Sequence, residues 1–170
     1  LLCRIPRPWV LDPDFTIVES ARAEATGYSF PSGHTQNAVG TFGGIARATK
    51  RHCLRWVCVV IFVLVSFSRM YLGVHTPLDV GVSFVIAAVL VFAIYPLMRR
   101  ADRYPRLMAG LLASMVLLSA AYLTFTLVYP FPPDIDSANL ASGVENGWKL
   151  LGATLGIALA WWLDRQYVRF

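Results

Sequence analysis

Charge is what this chain has least of. Only 15% of its 170 residues are Asp, Glu, Lys or Arg, against 56% hydrophobic residues. That balance argues against an ordinary soluble domain and points to a membrane protein. Cysteine is sparse as well. Cys3, Cys53 and Cys58 form no even framework and no C-x-x-C, so they read as free thiols without a disulfide or zinc role. No G-x-S-x-G elbow is present, which sets aside a serine hydrolase built on Ser32 or Ser68. No repeat or low-complexity tract stands out, and no charged leader followed by an apolar core opens the chain. The first residue is Leu1 rather than Met, and the sequence is expected to begin partway into a longer protein.

The charges that are present are unevenly placed. The net charge is +5. Lys and Arg gather in short clusters between apolar runs: Arg47, Lys50, Arg51 and Arg55, then Arg99, Arg100, Arg103 and Arg106, then the tail 164–170. This is the pattern of membrane loops rather than a nucleic-acid footprint, and no nucleic-acid partner is expected. The apolar runs are Trp56 to Phe67 (of spanning length if the helix continues toward Tyr71), Pro77 to Met98, Leu107 to Tyr129 and Trp148 to Leu163. A further helix over 32–49 is rich in small residues and suits the inside of a bundle. Gly40-x-x-x-Gly44 and Gly152-x-x-x-Gly156 are predicted packing faces. Residues 1–31, punctuated by Pro6, Pro8, Pro13 and Pro31, read as a surface loop with a short helix around Thr16–Ala25. Trp9, Tyr28, Trp56, Tyr129, Trp148, Trp161 and Trp162 suit membrane interfaces. The expected fold is all-α, a polytopic transmembrane helical bundle forming a single domain over 1–170. Its parts are an outer loop at 1–31, core helices at 32–98 and two further spans within 107–163.

Short loops rich in Lys and Arg stay cytoplasmic. The basic turns 47–55 and 99–106 and the tail fall on one side if the spans alternate, and residues 1–31, 68–79 and 130–146 fall on the other. Span alternation and charge bias therefore agree on an outward-facing side that gathers Arg7-Pro8, Ser32-Gly33-His34, and Arg69 with His75 and Asp79. Ionisable groups at a membrane edge need a reason. A phosphate ester supplies one. It needs cations and N–H donors for its free oxygens, an in-line nucleophile and an acid for the leaving oxygen. Arg7 and Arg69 offer planar donors, Ser32 a hydroxyl, and Gly33 and His34 backbone N–H groups at a helix N-terminus. His34 and His75 suffice for acid and nucleophile.

These residues resemble the signatures of the type 2 phosphatidic acid phosphatases (PAP2), membrane lipid phosphatases related to the vanadium haloperoxidases. Pro31-Ser32-Gly33-His34 is similar to their P-S-G-H signature, and Ser68-Arg69-x5-His75-x3-Asp79 to their S-R-x5-H-x3-D signature. Arg7-Pro8 matches the end of K-x6-R-P, whose lysine would fall immediately before Leu1. The resemblance implies six spanning helices, so upstream helices are expected in addition to those here. It implies that His75 attacks phosphorus and forms a phosphohistidine, that Asp79 holds the His75 ring, and that His34 protonates the leaving oxygen and later activates water. Arg7, Ser32, Gly33 and Arg69 would bind the phosphoryl oxygens. No metal and no cofactor are implied. Apart from His75-x3-Asp79, the sequence has no His/Asp/Glu cluster with metal-ligand spacing. The substrate implied is a lipid phosphate such as phosphatidic acid, phosphatidylglycerol phosphate or a polyprenyl diphosphate, in an integral membrane protein of the bacterial inner membrane type with its site on the extracytoplasmic face. Membrane lipids are the other expected partners, and the oligomeric state is left open.

Plainer readings stand beside these. Thr76-Pro77-Leu78-Asp79 is also a helix start, so Asp79 can serve as a capping residue and as an orienting one. Arg69 can snorkel to headgroups. Arg4 and Arg22 read as surface charges, His52 as solvated, and Asp134, Asp136 and Glu145 as solvating the outer loop. The rival functions are a catalytically inactive phosphate-binding scaffold and a transporter. A transporter would place its ionisable groups at mid-span, and here they sit at span ends.

Overall fold

The computed structural model describes residues 3–168 except Glu24 and Asp134. Among the described residues there are seven α-helices and no strands. They are α1 (Pro8–Leu11), α2 (Glu19–Arg22), α3 (Gly33–Ala48), α4 (His52–Tyr71), α5 (Pro77–Ala101), α6 (Pro105–Val128) and α7 (Ser137–Leu163). A π-helical turn, Asp164–Val168, follows α7. Internal contacts gather the chain into two compact units, Leu1–Leu97 and Met98–Phe170, with the boundary in the last turns of α5.

In the first unit α3 and α4 form an antiparallel hairpin turned by residues 49–51. Thr49 is extended and stops α3, its N–H donating to the Ile45 carbonyl. Arg55 secures the turn: its Nε donates to the Ala46 carbonyl (3.2 Å) and its Nη2 to the Thr49 carbonyl (3.0 Å). These are carbonyls that a helix C-terminus leaves without partners. Helix α5 returns along both helices. Phe62 of α4 meets Phe84 edge-on at 5.7 Å, and Arg47 of α3 lies over the rings of Phe92 (4.7 Å) and Tyr95 (5.1 Å). Ser32 meets Ser83 near the starts of α3 and α5, so those two helices run in the same direction.

In the second unit α6 and α7 pair antiparallel. Thr154 donates to Ser119 across them, and Ala101, Met108 and Leu112 pack with Ala158 and Trp161. Asp136 begins α7 by accepting the N–H groups of Ala138 (2.8 Å) and Asn139 (3.1 Å). It is thus a helix cap as well as a solvated loop acid. Asp134 lies outside the described residues.

The burial pattern is inverted relative to a water-soluble protein. Ser66, Ser83, Ser119, Thr126 and Thr154 are buried, while Val60, Leu64, Phe67, Val85, Phe92 and Leu117 are exposed. Lipid solvates such apolar faces, and small or hydroxylated residues turn inward. Helices α4, α5 and α6 are long and apolar enough to cross a membrane. The fourth expected span, Trp148 to Leu163, is not among them. Helix α7 has 27 residues, but its first half carries Glu145, Asn146 and Lys149. The apolar remainder rises only ~21 Å, short of the ~30 Å hydrocarbon core.

Two expectations about packing are corrected. A Cβ on Gly40, Gly44, Gly152 or Gly156 would meet nothing within 4 Å, so neither glycine pair is where helices approach within its unit. The close contacts fall instead at Gly43, beside Val91 (3.7 Å), and at Gly147, against Leu123 (3.0 Å). The spacing permits close approach, but the facing helix decides where it happens. The short helix expected around Thr16–Ala25 is α2, and the outer loop holds a second, α1, because Arg7-Pro8 starts a turn of its own with Pro at the first helical position.

Candidate active site

The site is built on the reversal between α4 and α5. Helix α4 ends in a Schellman arrangement: the N–H of Val74 donates to the Arg69 carbonyl (3.2 Å) and that of Gly73 to the Met70 carbonyl (3.0 Å). Gly73 sits at φ +73°, and a Cβ there would lie 2.6 Å from the Thr16 carbonyl oxygen. Only glycine fits both demands. The outer loop lies directly on this turn, and the Val18 N–H donates to the Leu72 carbonyl (3.2 Å). Helix α5 then begins with a reciprocal capping box. The Thr76 N–H donates to Asp79 Oδ2 (2.8 Å), and the Asp79 N–H donates to Thr76 Oγ1 (3.2 Å). His75 is held between these two terminators, 5% exposed.

Asp79 therefore serves both of its readings. Its Oδ2 caps α5, accepts the Ser29 hydroxyl at 2.6 Å, and lies 3.7 Å from His75 Nδ1. The last distance is an ion-pair approach and too long for a hydrogen bond. Nδ1 is buried and without a hydrogen-bond partner. On the other side of the ring, Arg7 Nη1 lies 3.1 Å from His75 Nε2. A guanidinium can only donate, so Nε2 presents its lone pair and the ring proton sits on Nδ1, toward Asp79.

Arg7 does more than face the ring. Its Nη1 also donates to the Val74 carbonyl (2.9 Å), its Nε to Gly27 (3.1 Å) and its Nη2 to Thr26 (2.7 Å). These bonds tie the segment before Ser29 to the histidine turn. They leave one of the five guanidinium N–H groups uncommitted. Trp9 supports the same side chain, with Arg7 lying 6.0 Å from its ring.

The α3 start comes next. Ser32 is fully buried, its hydroxyl oxygen accepting from Thr35 Oγ1 (3.1 Å) and its backbone N–H donating to Ser83 Oγ (2.6 Å). Ser83 in turn donates to the Asp79 carbonyl (2.7 Å), which locks the start of α3 to α5. Gly33 faces open space, and the first-turn N–H groups that follow Ser32 have no helical acceptor. His34 is exposed. Arg69 is half-buried, with Nε 3.4 Å from Ser68 Oγ.

The charges couple these side chains. Burial and Arg7 push the His75 pKa down to about 4, while Asp79 and the Ser29 backbone act in the opposite sense. Burial, then Arg69 and Arg7, lower that of His34. Burial also lowers Arg7, with Asp79 opposing and Arg69 adding to the shift. Both histidines are thus neutral near pH 7 beside two guanidinium groups, a setting built to receive an anion. The structure brings Arg7, His75 and Asp79 into direct register and sets His34 and Arg69 within electrostatic reach of them. Ser32 is placed behind the α3 start rather than in front of it. Ser29, Ser83 and Gly73 are additions that the motif reading did not single out. A visible signal existed for Ser83, one helical turn beyond Asp79. Among the described residues, no group of three His, Cys, Asp or Glu side chains is placed to hold a metal ion.

Comparisons with known proteins fit this geometry. A family model described as the PAP2 superfamily matches residues 1–103. Undecaprenyl-diphosphatase BcrC of Bacillus subtilis (strain 168) is 36% identical over 90 residues, covering 53% of this chain and 44% of that protein. Phosphatidylglycerophosphatase B of the same organism is 32% identical over 105 residues, covering 55% of this chain and 50% of that protein. An undecaprenyl-diphosphatase of Sulfolobus acidocaldarius is 43% identical over 56 residues, 32% of this chain. The chain spans about half the length, or less, of these curated relatives. No solved structure matches it significantly.

Proposed function

The chain belongs to the PAP2 superfamily, and on that premise we propose that its site is that of an integral membrane lipid phosphatase, cleaving a lipid phosphomonoester or diphosphate through a phosphohistidine. The observation that carries this reading is the 3.1 Å approach of Arg7 Nη1 to His75 Nε2. It identifies a buried imidazole whose lone pair already faces the cation that would hold a phosphoryl oxygen. When the phosphate enters, Arg7 transfers its N–H from Nε2 to that oxygen, Arg69 and the Gly33 N–H take the others, and buried Ser32 holds the α3 start behind them. Nε2 attacks phosphorus as the P–O bond to the lipid breaks, and His34 delivers a proton to the departing oxygen. Asp79 stabilises the cationic ring. Water then attacks phosphorus while His34 takes its proton, the P–N bond breaks with its electron pair returning to Nε2, and inorganic phosphate leaves.

His34 is neutral in the empty site because partial burial, and then the charges of Arg69 and Arg7, oppose its protonation. A bound phosphate dianion offsets those cations, so the substrate itself brings the acid into its protonated form. The membrane-edge position of the site suits a substrate whose phosphate lies at the headgroup level. The clustering of Lys and Arg in the turns 47–55 and 99–106 supports a site on the extracytoplasmic face of a bacterial inner membrane. The substrate class is shared by the named relatives: phosphatidylglycerol phosphate or a polyprenyl diphosphate, with phosphatidic acid as a third member of the panel.

The test is a phosphate-release screen of the purified full-length protein in lipid–detergent micelles, with EDTA present, against those three substrates. Release from at least one, lost in His75→Ala, is the expected result. No release from any substrate overturns the reading, and release that requires an added metal overturns the metal-free mechanism.

A further inference from the structure

Asp79 Oδ2 is a crowded atom. It receives the Ser29 hydroxyl at 2.6 Å and the Thr76 N–H at 2.8 Å, while His75 Nδ1 stands off at 3.7 Å. The Thr76 contact is local to the helix start. The Ser29 contact comes from 50 residues away and is buried, with Ser29 only 1% exposed. Ser29 is itself fixed from two sides. Its N–H donates to the Ile5 carbonyl at 2.8 Å, and Arg7 grips the carbonyls of Thr26 and Gly27 just before it. Its backbone also acts on the His75 ring without reaching hydrogen-bond geometry.

We propose that Ser29 is a positioning residue for the His75–Asp79 pair: its hydroxyl occupies the carboxylate oxygen that faces the ring and so sets how strongly Asp79 attracts charge onto His75. The geometry stands by itself, and only the kinetic readouts rest on the phosphatase reading. A carboxylate oxygen with two short donors has part of its charge compensated. Without the Ser29 donor, Oδ2 keeps only the Thr76 N–H, and its pull on Nδ1–H grows. The ring then protonates more readily and closes toward Asp79, drawing Nε2 off its line to phosphorus. The other charged groups around the ring are Arg7 from the outer loop and His34 from α3, with Arg69 of α4 acting on both of these. None of them is altered by a change at Ser29.

The experiment compares wild-type full-length protein with Ser29→Ala and Ser29→Thr. Two readouts are taken: steady-state phosphate release across pH, and NMR titration of 15N-labelled histidine, with the His75 signal assigned by its loss in His75→Gln. Ser29→Ala is expected to lower kcat about tenfold with KM within about twofold. Its acid limb and the His75 titration should both move up by about half a pH unit or more. Ser29→Thr retains the hydroxyl and should restore the wild-type limb. A purely structural serine would lower the rate equally at every pH and leave the ring titration in place, and that result overturns the proposal. An unchanged kcat overturns it as well. Should Ser29→Ala lose its melting transition, Ser29→Cys decides, since the thiol fills the site and donates only weakly. Absence of turnover in the wild type would instead count against the phosphatase reading, while the ring titration still judges Ser29.

Discussion

Asp79 and Asp136 each accept backbone N–H groups at the start of a long helix, yet only one of them belongs to a site. Asp136 Oδ1 takes the N–H groups of Ala138 and Asn139, is exposed, and follows a proline-rich reversal at 129–136. Asp79 Oδ2 takes the Thr76 N–H by reaching back from the third helical position, but it is 2% exposed and follows a reversal sealed by the outer loop. The capping chemistry is common to both. The difference lies in what arrives from elsewhere in the chain: Ser29 on the carboxylate, Arg7 on the neighbouring histidine, and Thr16 against Gly73. A helix-start acid becomes functional when distant segments bury it beside a base and occupy its remaining contacts.

The largest effect that sharpens this comparison comes from neutralising each acid in turn. Asp79→Asn is expected to lower kcat on the order of 10³-fold, because an amide can turn its NH2 toward the ring and favour the wrong tautomer. Asp136→Asn should leave kcat unchanged, since Asn caps a helix about as well as Asp. Steady-state phosphate release with both variants reads this directly. Equal losses would erase the distinction between the two reversals.

The pH profile tests the same site through charge. His75 must be neutral to attack, and its pKa is pushed down to about 4, so activity should persist well below pH 6 on the acid side. His34 must be protonated to act as acid, and its pKa is lowered from the ordinary 6.5. The alkaline limb of kcat/KM, which reports the free enzyme, should therefore fall below pH 6.5. The limb of kcat should lie higher, because bound phosphate offsets Arg7 and Arg69. Coincident limbs for kcat and kcat/KM would remove the substrate-linked protonation of His34.

The helices and the two histidines were legible in the sequence because their signals are local. Pro77 marks a helix start, apolar runs mark spans, and Pro31-Ser32-Gly33-His34 and Ser68-Arg69-x5-His75-x3-Asp79 are contiguous patterns. The roles of Ser29 and Gly73 and the link of Ser83 to Ser32 were not legible, because each is defined by a partner 50 or more residues away. The glycine pairs misled for a related reason. Gly40 and Gly44 satisfy a spacing rule, but nothing local says that Gly43 is the one turned toward Val91. The Trp148–Leu163 run read as a span because its apolar residues are contiguous, although the helix extends back through polar residues to Ser137. Arg7 was read as a phosphate ligand, and its grip on Thr26, Gly27 and Val74 adds a structural duty that no dipeptide reveals.

Glycine offers a smaller contrast of the same kind. Gly73→Ala combines φ +73° with a Cβ 2.6 Å from the Thr16 carbonyl oxygen, so it should destabilise by roughly 1–3 kcal/mol and loosen the outer loop from the turn. Gly152→Ala enters open space within a helix and should be neutral or stabilising by about 0.5–1 kcal/mol. Thermal melting of the two variants in one detergent orders them. A tolerated Gly73→Ala would mean that the outer loop does not press on the histidine turn.

The smallest effect belongs to the quiet end of the comparison. Asp136→Ala removes an exposed cap from α7, which costs about 1 kcal/mol of stability at an ordinary helix start. Among the described residues its carboxylate meets two backbone N–H groups and no histidine, so kcat and KM should stay at wild-type values while the melting temperature drops slightly. Asp79→Ala should lose the same capping contribution, leave the Ser29 hydroxyl without its acceptor, and abolish turnover. Subtracting one melting shift from the other therefore isolates the long-range contacts of Asp79 from the capping both acids share. If Asp136→Ala lowers kcat more than about threefold at an unchanged melting temperature, the α7 start acts on the chemistry, and the division between a structural and a functional helix-start acid fails.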